Sequence, residues 1–313
     1  MNKRILVTGA TGFVGRALCT NLDAQGYQVR AAVRQKANSN AEDVDVGEIG
    51  ADTDWTHALV NIYAVVHCAA CTNIMSDKVP TSLQVFRRVN TEGTLNLAKQ
   101  AVAFGVKRFV FVSTVKVNGE ATEPGNPFTA DDVPAPNDFY SLSKYEAEIR
   151  LMSLAQETGL EVVIVRPPLV YGPMVKGNFE SLMHLIGLSL PLPFGAIRNS
   201  RSMVYLDNLV SLLIVCINHP AAPGQTFLVS DGEDVSTTEL LIRARETMGK
   251  KIFLLPVPTP VLKLVAALLG KSAMAQRICG SLQVDISKTC VMLNWKPPVS
   301  LNDGLRSVVK ENL

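Results

Sequence analysis

No apolar run in this chain of 313 residues is long enough to cross a bilayer. The two most apolar stretches, Leu206–Cys216 and Val261–Leu269, fall well short of the ~20 residues a spanning helix needs. Both are expected to be core helices, and membrane insertion is not expected. Charge of one sign is equally scarce. Thirty basic residues stand against 28 acidic ones, a formal net charge of +2. No basic block is long enough to suggest a nucleic acid or a membrane surface as partner, so small polar ligands are expected instead. Cysteine is sparse and unpatterned: Cys19, Cys68, Cys71, Cys216, Cys279 and Cys290 sit in apolar surroundings. Cys68-x-x-Cys71 has no second pair nearby to complete four ligands, which argues against a metal centre and for buried thiols in a reducing compartment. Met1-Asn2-Lys3-Arg4 runs straight into a short apolar strand, too short for a signal-peptide core, so a cytoplasmic protein is expected.

What remains is an ordinary globular composition, 47% hydrophobic and 19% charged, at a length that allows one large domain plus a smaller lobe. Short β-branched runs alternate with helical patterns: Ile5–Thr8, Val14–Gln25, Val29–Val33, Ala64–Cys68, Phe86–Ala103, Phe109–Ser113 and Glu161–Arg166. This alternation predicts βαβ units and an α/β fold, a Rossmann-type doubly wound parallel sheet. From Pro167 onward prolines and glycines become dense, which marks the start of a smaller, mostly helical C-terminal substrate lobe. Val204–Asn218 and the strand Thr226–Ser230 return to the main domain. The expected division is 1–166 plus about 204–232 for the dinucleotide-binding domain, and 167–203 plus 233–313 for the substrate lobe.

The turn Gly9-Ala10-Thr11-Gly12-Phe13-Val14-Gly15 follows the first strand and opens the first helix. So tight a turn needs glycine, and the helix N-terminus then offers unpaired N–H groups to a pyrophosphate. Gly9, Thr11, Gly12, Phe13, Val14 and Gly15 are therefore candidate dinucleotide contacts. The end of the second strand should read the adenosine ribose, an acidic side chain suiting NAD and an arginine suiting the 2′-phosphate of NADP. Val33-Arg34 stands there with no acid, so the expectation is NADP or NAD, leaning to NADP through Arg34.

Tyr140 and Lys144 are four residues apart on a predicted helix and share a face. An ammonium near the phenol would lower its pKa toward neutrality, so that Tyr140 could pass a proton to or from a substrate oxygen while hydride moves at the attached carbon. Ser113-Thr114 lies just past a predicted buried strand, where one hydroxyl could orient the reacting oxygen.

The set Thr8-Gly9-x-Thr11-Gly12-x-x-Gly15, Val66-His67-Cys68-Ala69-Ala70, Asn90-x-x-Gly93-Thr94, Ser113-Thr114-x-x-Val117-x-Gly119, Tyr140-x-x-x-Lys144 and Arg166-Pro167-Pro168-x-x-Tyr171-Gly172-Pro173 resembles the extended short-chain dehydrogenases/reductases, specifically their nucleotide-sugar epimerase/dehydratase group. The resemblance covers nearly the whole chain in order. It implies Tyr140 as acid/base, Lys144 on the nicotinamide ribose, Thr114 as the catalytic hydroxyl with Ser113 beside it, and Ala69, Ala70 and Pro167 along the cofactor. Glu48-Ile49 takes the place of an Asp-hydrophobic pair around adenine. Asn178, Arg201 and Arg277 take places that contact a nucleotide diphosphate, and the family commonly forms homodimers. The substrate implied is a UDP-sugar. Val115-Lys116-Val117-Asn118-Gly119-Glu120, together with Lys176-Gly177-Asn178-Phe179, resembles a bacterial subgroup that reduces UDP-4-keto-6-deoxy-N-acetylhexosamines; the alternative is a UDP-hexose 4-epimerase using the same residues. No Asp-Glu pair follows Ser113-Thr114 to drive a dehydratase, and a catalytically silent dinucleotide sensor would not be expected to keep both Tyr140 and Lys144.

Overall fold

The computed structural model describes residues 3–35, 42–72, 80–123, 125–175, 191–249 and 253–312. Asn178 and the Lys176–Phe179 phrase lie outside them. Seven strands form the main sheet in the order β3-β2-β1-β4-β5-β6-β9: β1 Arg4–Thr8, β2 Gln28–Val33, β3 Val44–Asp45, β4 Ala64–His67, β5 Arg108–Val112, β6 Glu161–Arg166 and β9 Gln225–Leu228. Every pairing within it is parallel; Val7 stands beside Ala31 on one side and Val66 on the other.

The sheet's burial follows from the two-residue period of a strand. Ile5 and Val7 face one core, shared with Leu18 and Leu22 of α1 (Phe13–Ala24) and Leu209 and Leu213 of α6 (Leu206–Asn218). Leu6 faces the other, with Trp55, Phe109, Leu97 of α4 (Thr94–Ala103) and Leu151 of α5 (Phe139–Thr158). Strands covered on both faces carry unbroken apolar runs, which is why the parallel sheet is legible in the sequence. The predicted helix Phe86–Ala103 is present but not uniform: α3 (Pro80–Phe86) passes into a π-helical segment, Arg87–Gly93, before α4.

The second lobe is mostly helical, and β7 (Leu169–Tyr171), β8 (Arg201–Tyr205) and β10 (Asp234–Val235) add a small second sheet in the order β10-β8-β7. These strands are two to five residues long, too short for a period to show. Their sheet packs on α7 (Thr237–Thr247) and α11 (Leu301–Asn312) through Met203, Leu240, Leu241, Leu305 and Val308. One expectation for this lobe is corrected: Val261–Leu269 is no core helix, because no residue of α8 (Thr259–Leu268) is buried.

The glycine turn is fixed by close contact. Gly9 has φ +64°, and a Cβ there would stand 2.8 Å from the backbone nitrogen of Ala69; a Cβ on Gly15 would stand 2.1 Å from the Gly9 carbonyl oxygen. The turn can pass between α1 and the end of β4 only with both positions bare. Gly15→Ala should therefore destabilise the protein by about 1–3 kcal/mol despite the better helix propensity of alanine. Urea unfolding would show it as a lower midpoint at unchanged slope, and a midpoint at the wild-type value would mean that the turn relaxes at no cost.

Candidate active site

α5 starts sharply because Asp138 and Ser141 cap it reciprocally, with the Asp138 carboxylate 2.6 Å from the Ser141 nitrogen. Lys116 reaches the other Asp138 oxygen at 2.5 Å. Burial works to raise the Asp138 carboxyl, but the contacts with Lys116 and Ser141 outweigh it and hold it below the ordinary carboxylate value. The cap fixes where Tyr140 and Lys144 point. Tyr140 packs edge-on to Phe86, and Lys144, fully buried, places its Nζ 4.1 Å from the centre of the Phe111 ring.

Neither group keeps its ordinary pKa. Burial pushes Lys144 down to about 7, against the opposing pull of Glu148 and then Cys68. Burial pushes Tyr140 up, reinforced by Asp138 and Cys71. The expectation that Tyr140 is lowered toward neutrality is thus not met by the polypeptide's own side chains. Desolvation and the neighbouring Asp138 and Cys71 all disfavour the phenolate, so Tyr140 is held as a proton donor.

The two candidate hydroxyls separate clearly. Ser113 is buried and donates to Glu148 Oε1. The same carboxylate receives Arg166 Nε at 3.0 Å and Arg166 Nη2 at 2.5 Å, and Arg166 Nη1 reaches Asn118 Oδ1 at 3.0 Å. Ser113 is therefore part of a buried ionic network, with its hydroxyl proton committed to Glu148. Thr114 caps the short 3-10 turn Val115–Val117, and its oxygen accepts from the Lys116 nitrogen at 3.3 Å. Its hydroxyl proton takes no part in that contact. Val115 donates to the Pro167 carbonyl at 2.9 Å, tying this turn to the end of β6.

On the cofactor side, α1 has no side-chain cap and no acid in its first turn, so the N–H groups at Phe13 and Val14 receive nothing from their own neighbourhood. Gly12 is its N-cap, Thr11 precedes it, and Ala69 and Ala70 follow β4 with Ala69 against Gly9. A dinucleotide fits this cradle, with the bare glycines and uncapped helix end taking the pyrophosphate. Arg34 directly follows β2 and lies 3.7 Å from Glu48, both side chains about three-quarters exposed. Ile49 packs so closely on Gly93 that a Cβ there would stand 2.6 Å from it. Arg34 and Glu48 are thus brought together, with Ile49 turned against the π-helical segment.

Sequence reasoning missed the relay that joins these halves. Ala69 donates to Thr8 Oγ1 at 3.2 Å, Thr8 Oγ1 meets His67 Nδ1 at 2.7 Å, His67 Nε2 meets Thr94 Oγ1 at 3.0 Å, and Thr94 donates to the Asn90 carbonyl at 2.7 Å. Since the Thr94 proton is committed to Asn90, His67 carries its hydrogen on Nε2 and accepts from Thr8 on Nδ1. Burial, then Lys144, pushes His67 down to about 3, so it stays neutral. Asn90 bonds the Cys71 backbone in both directions and donates to Ser143 on α5. The conspicuous histidine is a structural connector.

The substrate candidates in the second lobe are only partly where expected. Arg201, at the start of β8, uses Nη1 on the carbonyls of Arg277 (2.8 Å) and Gly280 (3.1 Å), bracing the end of α9 (Ser272–Cys279). Two of its five N–H donors are therefore committed. Arg277 contributes its backbone to that brace, and its side chain is exposed.

A doubly wound sheet with a glycine turn at its first βα corner defines a dinucleotide-binding α/β protein. The chain belongs to the NAD dependent epimerase/dehydratase family, whose model matches residues 5–230, and it is an NAD(P)-dependent enzyme of that kind. It is 50% identical over 313 residues to a UDP-glucose 4-epimerase of Vibrio cholerae, covering 99% of this chain and 95% of the relative. It is 26% identical to the N-acetyl-α-D-glucosaminyl-diphospho-ditrans,octacis-undecaprenol 4-epimerase of Escherichia coli O157:H7, over 97% and 94% of the two chains. Among solved structures, the UDP-glucose 4-epimerase of Thermotoga maritima, determined with UDP-glucose, superposes with TM-score 0.78 at 23% identity, over 99% and 98%.

Two measurements check the site. Thr114→Val should lower kcat about a hundredfold or more at unchanged stability, whereas Ser113→Ala should lower stability and leave kcat within about threefold; the reverse pattern would restore Ser113 to the chemistry. For Lys144, the folded pKa lies below the unfolded 10.5, so between about pH 7 and 10 the unfolded chain binds the extra proton and stability contributed through this group rises with pH. Its charged form destabilises the fold fully below that window. The cofactor-free protein should therefore lose up to about 1.4 kcal/mol per pH unit of upward slope on Lys144→Met, measured by denaturant unfolding at several pH values; superimposable slopes would mean that Lys144 titrates normally.

Proposed function

We propose that the protein carries out NAD(P)-dependent oxidation–reduction at C4 of a UDP-linked sugar, in the 4-epimerase sense, with Tyr140, Thr114 and Lys144 as the catalytic residues. The observation that carries this reading is that α5, which bears a proton-holding Tyr140 and a buried cation at Lys144, packs against the short turn capped by Thr114, on the sheet whose first turn is the bare glycine cradle. Bound nicotinamide would supply or take up the hydride. Tyr140 holds the proton exchanged with the C4 oxygen, Thr114 donates a hydrogen bond to that oxygen, and Lys144 supplies positive charge that favours phenolate when the proton leaves. The epimerase sense is supported by the 50% identical relative and by the polyprenyl-diphosphate-sugar 4-epimerase. Gly9, Thr11, Gly12, Phe13, Val14, Gly15, Ala69, Ala70 and Pro167 would line the cofactor, Glu48 and Ile49 its adenine. Arg201, with its uncommitted donors, together with Asn178 and Arg277, would hold the UDP diphosphate. The lobes would divide at 166/167, about 203/204 and 232/233, in a cytoplasmic homodimer.

A second reading, one-way reduction of a UDP-4-keto-6-deoxy-N-acetylhexosamine, is favoured by two features. Arg34 offers an exposed guanidinium where NADP carries its 2′-phosphate, and Tyr140 is held in the state that protonates a keto oxygen.

Incubation with UDP-glucose and UDP-N-acetylglucosamine, without added cofactor, should yield the C4 epimer with the purified protein and none with Tyr140→Phe, while dinucleotide affinity of the variant stays within about threefold. Turnover of a UDP-4-keto sugar only with added NADPH would instead establish the reductase. A Phe variant above about a tenth of wild-type rate would remove Tyr140 from the mechanism. Arg34→Ala should weaken NADPH about tenfold more than NADH; equal losses would make the guanidinium a bystander.

A further inference from the structure

The second lobe carries a face with no role in the chemistry above. α8 buries none of its ten residues. Val261, Leu264, Val265 and Leu268 fall at helical spacing along it, and Leu264 and Leu268 are 62% and 79% exposed. Leu269 and Met274 extend the stripe toward α9, both exposed. Soluble monomers rarely leave large side chains so contiguously uncovered, and such a patch marks an interaction surface. Its charge says which kind. From Phe253 to Val284 the sequence contains no Asp or Glu, whereas Lys263, Lys271 and Arg277 are present and exposed. The sequence holds no compact basic block because these three cations are spread over two helices; the α8–α9 hairpin gathers them beside the apolar stripe.

We propose that the α8–α9 hairpin docks the protein on an anionic lipid surface, α8 lying in the plane of the interface with Leu264, Val265 and Leu268 in the acyl boundary and Lys263 and Lys271 on lipid phosphates. An apolar stripe flanked by cations is the pattern of an interfacial helix. At ten residues α8 is about 15 Å long, too short to cross a bilayer, and among the described residues no helix is long and apolar enough to do so. A second copy of the chain fits less well, because two such faces would bring six like charges together with no acid between them.

The test is co-sedimentation of the intact protein with vesicles of equal parts phosphatidylglycerol and phosphatidylcholine, and with phosphatidylcholine alone. The protein should partition at least about tenfold more to the anionic vesicles at low salt, and this preference should shrink at about 0.5 M salt, where charges are screened within a few Å. Leu264→Asp with Leu268→Asp should abolish binding while leaving cooperative thermal unfolding unchanged. As a check that needs no variant, the backbone amides of residues 259–269 should gain protection from hydrogen exchange on addition of anionic vesicles. Absence of binding at low salt, binding that survives the double substitution, or unchanged exchange would overturn the proposal. So would a dimer that the double substitution converts to monomer while vesicles bind neither form, which would assign the face to a second copy.

Discussion

Everything at the catalytic face depends on how the fold tolerates a buried lysine. Tyr140, Lys144 and Glu148 follow one another at four-residue steps along one face of α5. Glu148 sits one turn beneath Lys144 and is itself forked by Arg166. Three buried charges thus share a small volume, two positive and one negative. An isolated Glu148–Arg166 pair would balance; the added ammonium is the uncompensated member, and it is the one whose proton is loosened. The position of Lys144 and its depressed pKa are consequences of the same packing, because what seats the side chain over Phe111 also removes it from water.

The network around Glu148 does a second thing. It pulls Ser113 inward, and in a strand continued by one residue the next side chain turns to the other face. Thr114, also buried, turns instead to cap the Val115–Val117 turn. Asn118 extends the same network to the Thr129 carbonyl, so the loop after β5 is fixed at both ends. On the opposite side, the line from Ala69 through Thr8, His67 and Thr94 to Asn90 joins the glycine turn to α5 through the π-helical segment. The π segment places Asn90 where it satisfies both the Cys71 backbone and Ser143, a local distortion of the kind that recurs at functional sites.

This explains which parts were legible in the amino-acid sequence. The parallel sheet and its order of elements were, because β-branched runs buried on both faces and helices with one apolar face leave periodic traces. The glycine turn was, because its bare positions are demanded by backbone contacts a few residues away. Choosing between Ser113 and Thr114 was not, since the choice depends on Glu148 and Arg166, which come from other elements. Nor was the direction of the Tyr140 shift: spacing places a lysine nearby but says nothing of desolvation, which dominates. Arg201 reads as a diphosphate ligand because arginine has the right donors, yet part of its fork braces α9 through carbonyls that no pattern reveals.

The two lobes also spend their apolar residues differently. By sequence alone Leu206–Asn218 of the main domain and Val261–Leu269 of the second lobe would be read alike, both strongly apolar. α6 buries most of its residues between α1 and the sheet, whereas α8, packed on α9, buries none. Hydrophobicity alone does not distinguish a core helix from a surface one; what differs is the company of charge. α6 carries a single charged residue, Asp207 in its first turn, while Lys263 sits inside α8 and Lys271 and Arg277 follow it closely, with no acid to answer them. A basic residue in the middle of an apolar helix keeps at least one flank at a polar boundary, since its ammonium must stay solvated or paired. The outer hairpin of the second lobe is therefore built for an interface between apolar and anionic surroundings rather than for the interior.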